Sequence, residues 1–484
     1  MNAAFCKKCA DKGKTMKKVL KIVLIIFLVI ALLIAGIIAV LFHTLKSELG
    51  DHLEDYAKVF AIQTEANKDL PPLENIEQRE IDVPYIRKDG TNESRPVRLY
   101  IPEEAEPPMP LIYVPHYEMA ENAAELRRYL EQGWAVASPT DVLPSHNGLL
   151  TDDDLVFNNA ALYTLRHTEE FDNQRIAIVG GSAGGYTTLM LSALQMGNCA
   201  SVATAPIANV YFNFYQYFQM AQRNDAPFFL KLVRDSFAPI LDNFPDVKDT
   251  KRWEAFSAVG LADCFNSPLV ITHVTSDILV PIDQITREFT YDHEGNSMPE
   301  DFSTRLPEDN PGVLGHSLAD ELPAELTHLE HIVIEDLDAD SDLPYNGEKL
   351  FNLNIYDDGP TESYGSHRAT SGTGVVNDVP YLKAMFDRGL AQNEILTDGK
   401  LLLLLERYMG KSIQLPAHEG VDDRVYGSLA IYRQEIVEEL TCWAANNSIE
   451  ELDAAVKSAI AEQDSDKYFE VWGEIYNEIV SSLR

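Results

Sequence analysis

The chain has 484 residues, 45% of them apolar, and a formal net charge of −37 at pH 7. It is too long for one ordinary domain and too apolar for a disordered chain, so we expect at least one large hydrophobic core. Because so acidic a surface repels a polyanion, general nucleic-acid binding is excluded. The five cysteines are too few for a disulfide scaffold.

Residues 22–42 form an apolar run of 21 residues without a charged side chain. A helix of this length is roughly 30 Å long, which is enough to cross the hydrocarbon core of a bilayer. A cleaved signal peptide is the alternative, but its apolar region usually has about 7–15 residues and is followed by small residues that are missing here. We therefore expect a transmembrane signal anchor.

The charges before this segment predict its orientation. Residues 1–21 contain seven lysines and one acidic residue. Since such a basic flank stays in the cytoplasm, we expect a single-pass protein of the cell membrane with a short basic cytoplasmic tail. The rest of the chain then lies outside. Residues 43–78 mix charged and apolar side chains and end soon after a Pro-Pro pair, which predicts a stalk and linker.

Short β-branched runs alternate with helical patterns through residues 79–381. The first two runs flank an Asp89-Gly90 turn, which predicts an antiparallel hairpin. From residue 111 onward, strands alternate with helices over residues 120–132 and 152–167, which predicts right-handed crossovers and a doubly wound, mostly parallel sheet of the α/β class. The predicted strands are residues 81–86, 96–101, 111–114, 134–137, 175–179, 201–205, 268–274 and 351–356.

Three stretches exceed a minimal unit of this kind. Residues 209–263 have a helical pattern, residues 284–349 form a long acidic insertion, and residues 382–484 predict a helical C-terminal extension. No period of about 20–50 residues repeats, which excludes a solenoid. We expect additions of this size to shape a site or an interface.

The most specific motif surrounds Ser182, in the sequence Gly180-Gly-Ser-Ala-Gly184. A G-x-S-x-G motif between a buried strand and a helix places its serine on a tight turn, as a nucleophile requires. The glycines let the turn close, and the helix N-terminus favours negative charge nearby. A plain glycine-rich turn is the alternative, whereas the G-x-G-x-x-G and Gly-Lys-Ser/Thr patterns of nucleotide-binding loops are absent.

Residues 176–186, the hairpin and residues 268–281 together resemble the α/β-hydrolase superfamily, near its prolyl-oligopeptidase-like and carboxylesterase branches. The resemblance covers residues 80–380. It implies that residues 79–381 form a hydrolase domain with a cap over residues 209–263. It further implies a serine nucleophile, no cofactor, and catalytic residues in the chain order Ser, acid, His.

This order implies the other two catalytic residues. Asp277 stands in the Asp-x-x-Val-Pro segment where the family commonly carries its acid, and Asp283 is the competitor. His367 lies in a turn-rich loop after the strand over residues 351–356, where the family carries its general base. Five other histidines follow Asp277: His293, His316, His328, His331 and His418.

A metal site is a second interpretation of three of these histidines. His316, His328 and His331 lie among acidic residues, but their spacing matches no strong metal-ligand motif. We therefore predict an exposed cluster and no metal.

The predicted oxyanion hole departs from the family pattern. Many relatives carry His-Gly-Gly-Gly after the strand over residues 111–114, whereas this chain has Pro115-His116-Tyr117. Proline has no N–H to donate. One predicted donor is the backbone N–H of Ala183, and the second is the backbone N–H or the phenol of Tyr117.

An aromatic segment over residues 211–218 (YFNFYQYF) follows the strand over residues 201–205, where this fold commonly inserts its cap. On an α-helix, four of its side chains share one stripe. These rings form either the core of the cap or an apolar wall of an acyl pocket above Ser182. The predicted substrate-binding residues are Tyr211, Phe214, Tyr215 and Phe218.

These features predict an outward-facing, membrane-anchored serine hydrolase that cleaves carboxylic esters through an acyl-enzyme. A peptidase of prolyl-oligopeptidase-like type is the alternative, although such enzymes usually carry a β-propeller before this domain and only residues 43–78 stand there. A non-catalytic adhesion or scaffold protein is the third interpretation. The expected partners are a small ester or peptide and the membrane, and the sequence does not specify the oligomeric state.

Overall fold

A computed structural model describes most of the predicted α/β domain. The described residues are 30, 33–34, 36–40, 70–86, 91–140, 152–195, 197–216, 240–241, 244, 246–275, 277, 279–287, 312–333, 341–357, 377–395 and 400.

Nine strands form one sheet, in the order β1-β2-β4-β3-β5-β6-β7-β9-β8. β1 pairs antiparallel with β2, and β2 antiparallel with β4, whereas every other neighbouring pair is parallel. The strands are β1 Ile76–Ile86, β2 Asn92–Pro102, β3 Met109–Tyr113, β4 Ala135–Pro139, β5 Phe171–Gly181, β6 Ala200–Thr204, β7 Leu269–Val274, β8 Thr327–Val333 and β9 Phe351–Asp357.

Helices cover both faces of this sheet. The α-helices are α1 Ala124–Glu131, α2 Asp152–Arg166, α3 Ala183–Leu194, α4 Thr250–Ala255, α5 Leu318–Glu321, α6 Val379–Arg388 and α7 Leu390–Asn393. A π-helix spans Tyr211–Gln216, and short 3₁₀ turns span Ala258–Cys264, Ile282–Gln284, Gly312–Gly315 and Ala324–Leu326.

Two hydrophobic clusters separate the faces. On one face, α2 and α3 bury Phe157, Leu162 and Leu189 with strand residues such as Ile178 and Ile271. On the other face, α1 and α6 bury a second cluster, made with the alternate strand residues and including Leu126, Leu382, Ile112, Val179 and Val270. Because successive side chains of a strand point to opposite faces, this alternation produces the doubly wound, mostly parallel arrangement.

All eight predicted strands are present, and β1 and β2 form the predicted antiparallel hairpin. The predicted acidic insertion also contributes a strand, because β8 pairs parallel with β9 at the edge of the sheet. The predicted boundary between residues 381 and 382 falls inside α6. Residues 382–395 and 400 therefore include side chains that pack on the sheet domain, among them Leu382 and Phe386.

Only part of the predicted membrane segment is described. Residues 30, 33–34 and 36–40 are helical, and their large apolar side chains are 49–65% exposed. Within the described ranges, no helix combines the length and the apolar character that a membrane span needs.

Candidate active site

Ser182 forms the turn between β5 and α3. Its backbone has φ 56° and ψ −119°, a conformation that L-residues with side chains rarely adopt. Two hydrogen bonds hold the turn, because the Ser182 N–H donates to the Thr204 carbonyl (2.8 Å) and the Tyr186 N–H donates to the Ser182 carbonyl (2.9 Å). The serine is half-buried at the N-terminus of α3.

Glycines make this turn possible. A Cβ atom on Gly180 would lie 2.6 Å from the carbonyl oxygen of Gly184 and 2.7 Å from Oγ1 of Thr188. A Cβ atom on Gly185 would lie 3.0 Å from the Cβ of Pro206. Larger residues at these positions would push α3 away from the ends of β5 and β6, so the glycines allow the close helix–strand approach.

Several residues with strained backbones lie at one edge of the sheet. Three residues with positive φ lie after the neighbouring parallel strands β3, β5 and β6: His116 (φ 71°), Ser182 (φ 56°) and Ala205 (φ 44°). Asn75 is the other non-glycine residue with positive φ in the described part of the chain. Such strain persists only where the surrounding structure holds it, and it is typical of functional sites.

Ser182 thus lies on a sharp strand-to-helix turn at the carboxyl edge of a mostly parallel sheet whose first strands are antiparallel. One fold is known for carrying its nucleophilic serine at this position. The fold is that of an α/β-hydrolase. The sequence predicted both the fold and the position of this elbow.

The chain matches no protein-family profile and none of the curated proteins. Solved structures with a similar fold include an acylaminoacyl peptidase from Pyrococcus horikoshii (TM-score 0.38, 14% identity, 66% of this chain and 42% of the other). A puromycin-hydrolyzing peptidase from Mycobacterium tuberculosis has a TM-score of 0.39 and 17% identity, over 67% of this chain and 40% of the other.

A third structure, a 2,6-dihydroxy-pseudo-oxynicotine hydrolase, has a TM-score of 0.39 and 15% identity, over 71% of this chain and 75% of the other. The chain spans about two fifths of the length of the two peptidases. These similarities concern the fold.

Asp277 lies in the loop after β7 and is buried. Its Oδ1 accepts hydrogen bonds from the backbone N–H groups of Leu279 and Val280, both at 2.9 Å, which fixes the carboxylate in the loop. β6 separates β7 from β5. Since neighbouring strands lie about 4.8 Å apart, the two strand ends are roughly 10 Å apart, a gap that an imidazole can bridge. The competitor Asp283 is buried in the turn that follows.

The predicted oxyanion donors lie at the same edge. Ala183 is the first residue of α3, so its N–H has no acceptor within the helix. The Tyr117 N–H donates to the Pro115 carbonyl (2.8 Å), so this group is engaged in a tight turn. The Tyr117 ring stands beside the elbow, because a Cβ atom on Gly184 would lie 3.3 Å from its Cδ2. Of the two groups predicted at Tyr117, the phenol is therefore the one to test.

The aromatic segment differs from the predicted α-helix, because Tyr211–Gln216 is a π-helix. Side chains hold its first turn: Gln284 Oε1 accepts from the N–H groups of Ala208 (2.8 Å) and Asn209 (3.0 Å), and the Asn209 side chain accepts from the Phe212 N–H. The predicted stripe spacing therefore does not apply. Tyr211 and Phe214 are buried in the larger hydrophobic cluster, and Tyr211 packs edge-on against Trp253 at 5.5 Å.

Several predicted site residues lie outside the described part of the chain. His367, Phe218, His293 and His418 belong to this group, and of Tyr215 only the backbone is described. His316 pairs with Glu321, and His328 Nε2 lies 3.6 Å from Glu330 Oε2 on β8. Within the described residues, no three His, Cys, Asp or Glu side chains come together as metal ligands.

Sequence reasoning missed one buried group beside the elbow. His116 Nδ1 lies 3.4 Å from Oδ2 of Asp154, and Arg95 Nη1 lies 3.5 Å from Oδ1 of the same carboxylate. All three side chains are at most 7% exposed. They come from β2, α2 and the turn after β3, so no local motif could have indicated the cluster.

Proposed function

We propose that this protein is a serine hydrolase that forms an acyl-enzyme on Ser182. The observation that carries the proposal is the strained backbone of Ser182 on the turn between β5 and α3. The serine stands at the carboxyl edge of the sheet and at a helix N-terminus, where an attacking oxygen and a developing negative charge are both favoured.

The proposed reaction uses Ser182 as the nucleophile, His367 as the general base and acid, and Asp277 as the residue that orients the histidine. Ser182 Oγ attacks the substrate carbonyl while His367 takes the hydroxyl proton, and Asp277 orients the imidazole and stabilises its charged form. The tetrahedral intermediate then collapses, the bond to the leaving group breaks, and His367 gives that group the proton. Water, activated by the same histidine, hydrolyses the acyl-enzyme and restores Ser182.

The described residues support the role of Asp277 and indicate where the oxyanion would be stabilised. Asp277 is buried and held by two backbone N–H groups, which keeps one oxygen of the carboxylate fixed; we assign the other oxygen to His367. The Ala183 N–H stabilises the oxyanion, with the Tyr117 phenol as the second donor. Loss of one such donor costs about 10²–10³ in kcat, so this second position determines how fast the enzyme is.

The leaving group is either an amine or an alcohol. Two of the structural neighbours are an acylaminoacyl peptidase and a puromycin-hydrolyzing peptidase, and the third is a 2,6-dihydroxy-pseudo-oxynicotine hydrolase. The peptidase alternative is thus nearer to these neighbours than ester cleavage is. Esters and amides are both cleaved through a tetrahedral intermediate that differs only in its leaving group, so the same residues could serve either reaction, and the experiment below includes both.

The test incubates the full-length purified chain with a fluorophosphonate and maps the adduct by peptide mass spectrometry. We expect labelling at Ser182, its loss in Ser182→Ala, and full labelling in the control Ser94→Ala, which changes an exposed serine on β2. Aminoacyl-proline amides and p-nitrophenyl esters then separate peptidase from esterase activity. A chain with native circular dichroism that is not labelled would contradict the proposal and favour the scaffold interpretation.

We also propose that residues 22–42 anchor the chain in the cell membrane, with the basic tail in the cytoplasm. The support is the uncharged run of 21 residues and the seven lysines before it. Protease added to intact cells should release a large acidic fragment and spare residues 1–21. A product secreted in soluble form that starts near residue 43 would contradict the anchor.

A further inference from the structure

The turn after β3, over residues 115–117, has a strained backbone that neighbouring groups must support. His116 has φ 71°, in the region that favours glycine, and its side chain is 5% exposed. The Tyr117 N–H donates to the Pro115 carbonyl across this residue, which makes a three-residue turn with His116 at its centre. A turn of this hand is rare and strained, so neighbouring groups must hold it.

The buried side of the turn supplies that support. The His116 ring reaches the Asp154 carboxylate through Nδ1 at 3.4 Å, and Arg95 holds the other oxygen at 3.5 Å. The Arg95 guanidinium carbon lies 3.9 Å from the centre of the Phe157 ring, so the cation itself is packed. Charged groups in such a dry position are stable only when they are paired, which locks the three side chains together.

The exposed side of the turn lies beside the elbow at Ser182. The His116 and Tyr117 rings meet edge-to-face with centroids 4.5 Å apart, and Tyr117 is 40% exposed. Beyond Tyr117 lies Gly184, where a Cβ atom would be 3.3 Å from the tyrosine ring. The Tyr117 ring is therefore confined between a fixed histidine on one side and the first turn of α3 on the other.

We propose that His116 is a positioning residue. Held by Asp154 and Arg95, it keeps the strained turn and the Tyr117 ring in place beside the first turn of α3, so that the phenol can act as the proposed second oxyanion donor. This inference rests on the proposed hydrolase function. It assigns a role to a buried histidine that takes no part in the proton transfers.

The test compares three variants of the full-length chain in the hydrolysis of the best substrate found above. Tyr117→Phe removes the phenol and should lower kcat by about 10²–10³ with little change in KM. His116→Gly removes the ring but accepts positive φ, so the chain should fold while kcat falls by about 10–100-fold. The double variant should be no slower than Tyr117→Phe alone, because both changes remove the same contribution.

Two further variants, His116→Asn and Asp154→Asn, test the contact between His116 and Asp154. Asn tolerates positive φ and has an amide N–H that can donate to Asp154, so His116→Asn should recover most of the activity lost in His116→Gly. Asp154→Asn should lower kcat in the same way as His116→Gly and should also add nothing to Tyr117→Phe. The matched control is His316→Asn, which changes an exposed histidine that also pairs with a carboxylate.

Different results would overturn the proposed hydrolase function and the positioning role of His116. Failure of the wild-type chain to label at Ser182 overturns the proposed function. Labelling and turnover in the wild type, with an unchanged kcat in His116→Gly or with losses that multiply in the double variant, overturn only the positioning role. If His116→Gly does not fold, the pair Asp154→Asn with Tyr117→Phe gives the same decision.

Discussion

Single residues at the elbow have backbone conformations that the rest of the molecule must maintain. Ser182 and His116 both have positive φ, and each such residue costs of order 1–3 kcal/mol. Close packing holds Ser182, whereas buried charges hold His116. The sequence could predict the first, because the glycines around Ser182 form a local motif. It could not predict the second, because Arg95, Asp154 and His116 meet only after folding.

Gly180→Ala tests the packing of the elbow. Its new Cβ atom would lie 2.6 Å from the Gly184 carbonyl oxygen, a backbone atom that cannot move without displacing α3. We expect a loss of about 1–3 kcal/mol in the free energy of unfolding, measured by urea denaturation, together with slower fluorophosphonate labelling. The control is Gly347→Ala, where the nearest atom would be 3.7 Å away and the effect should be within about 0.5 kcal/mol. Equal effects of both changes would contradict the packing argument.

Variants of the proposed triad test whether its residues act as a unit. Ser182→Ala and His367→Ala should each lower kcat by roughly 10⁴–10⁶, and the double variant should be scarcely slower than either single one. Asp277→Asn should lower kcat by about 10⁴, because the imidazole tautomer is no longer held. Steady-state kinetics with folding checked by circular dichroism gives the comparison. If His367→Ala remains active while His316→Ala or His418→Ala is inactive, the base is misassigned.

Secondary-structure elements with buried, β-branched sequences could be predicted, whereas those fixed by distant partners could not. β7 reads Leu-Val-Ile-Thr-His-Val and is buried throughout, so its pattern is clear. β8 reads Thr-His-Leu-Glu-His-Ile-Val and lies at the sheet edge, where half-buried positions accept polar residues. The π-helix was missed because Gln284, which holds its first turn, lies about 70 residues away.

The contact between α1 and α6 makes stability depend on pH. The Tyr129 hydroxyl lies 2.9 Å from Glu125 Oε1 and 2.5 Å from Asp378 Oδ2, yet it carries one proton for two buried carboxyl groups. Burial raises the pKa of Asp378 to about 6, opposed by the Tyr129 hydrogen bond and the Arg128 charge. Since the folded pKa exceeds the unfolded value, this carboxyl group stabilises the fold fully below about pH 4, and the contribution is lost as pH rises through 6.

Asp378→Asn should remove this dependence. Measured by urea denaturation from pH 4 to 7.5, the difference in free energy of unfolding between the variant and the wild type should shift in favour of the variant as pH rises. The control, Asp387→Asn, changes an exposed residue on α6, the helix that begins directly after Asp378, and should show no such shift. A difference that stays constant over this pH range would contradict the assignment.

Lys400 connects the C-terminal region to α3, the helix that begins after Ser182. Its buried ammonium group donates to the carbonyls of Ser192 (2.7 Å) and Ala193 (2.8 Å) in the last turn of α3. Burial raises the pKa of nearby Glu394 to about 7, and the Lys400 charge opposes this rise. Lys400→Met should therefore lower the free energy of unfolding by about 2–4 kcal/mol in urea denaturation, because carbonyls and a carboxyl group lose a cation. Lys383→Met, on the exposed face of α6, is the control, and an equal effect there would contradict this role.

The whole molecule combines a sheet that buries both faces with an edge that concentrates strained residues. The carboxyl ends of β3, β5, β6 and β7 bring Tyr117, Ser182, Ala205 and Asp277 to this edge. In such folds the site lies at the carboxyl ends of the strands, because the crossover connections leave a crevice there. The sequence could therefore predict where these two residues lie in the fold, since Ser182 directly follows β5 and Asp277 lies in the loop after β7. Their catalytic roles stay predictions.

In the proposed reaction, Ser182 carries the acyl group during turnover. The most direct measurement mixes the full-length chain with an ester or amide substrate, quenches the reaction with acid within milliseconds, and determines the mass of the peptide that contains Ser182. We predict a mass increase equal to the acyl group on this peptide, which accumulates with the first turnover and is absent in Ser182→Ala. Product release by a folded chain with no acylated peptide, or with the acyl group on another residue, would contradict the role of Ser182 as the nucleophile.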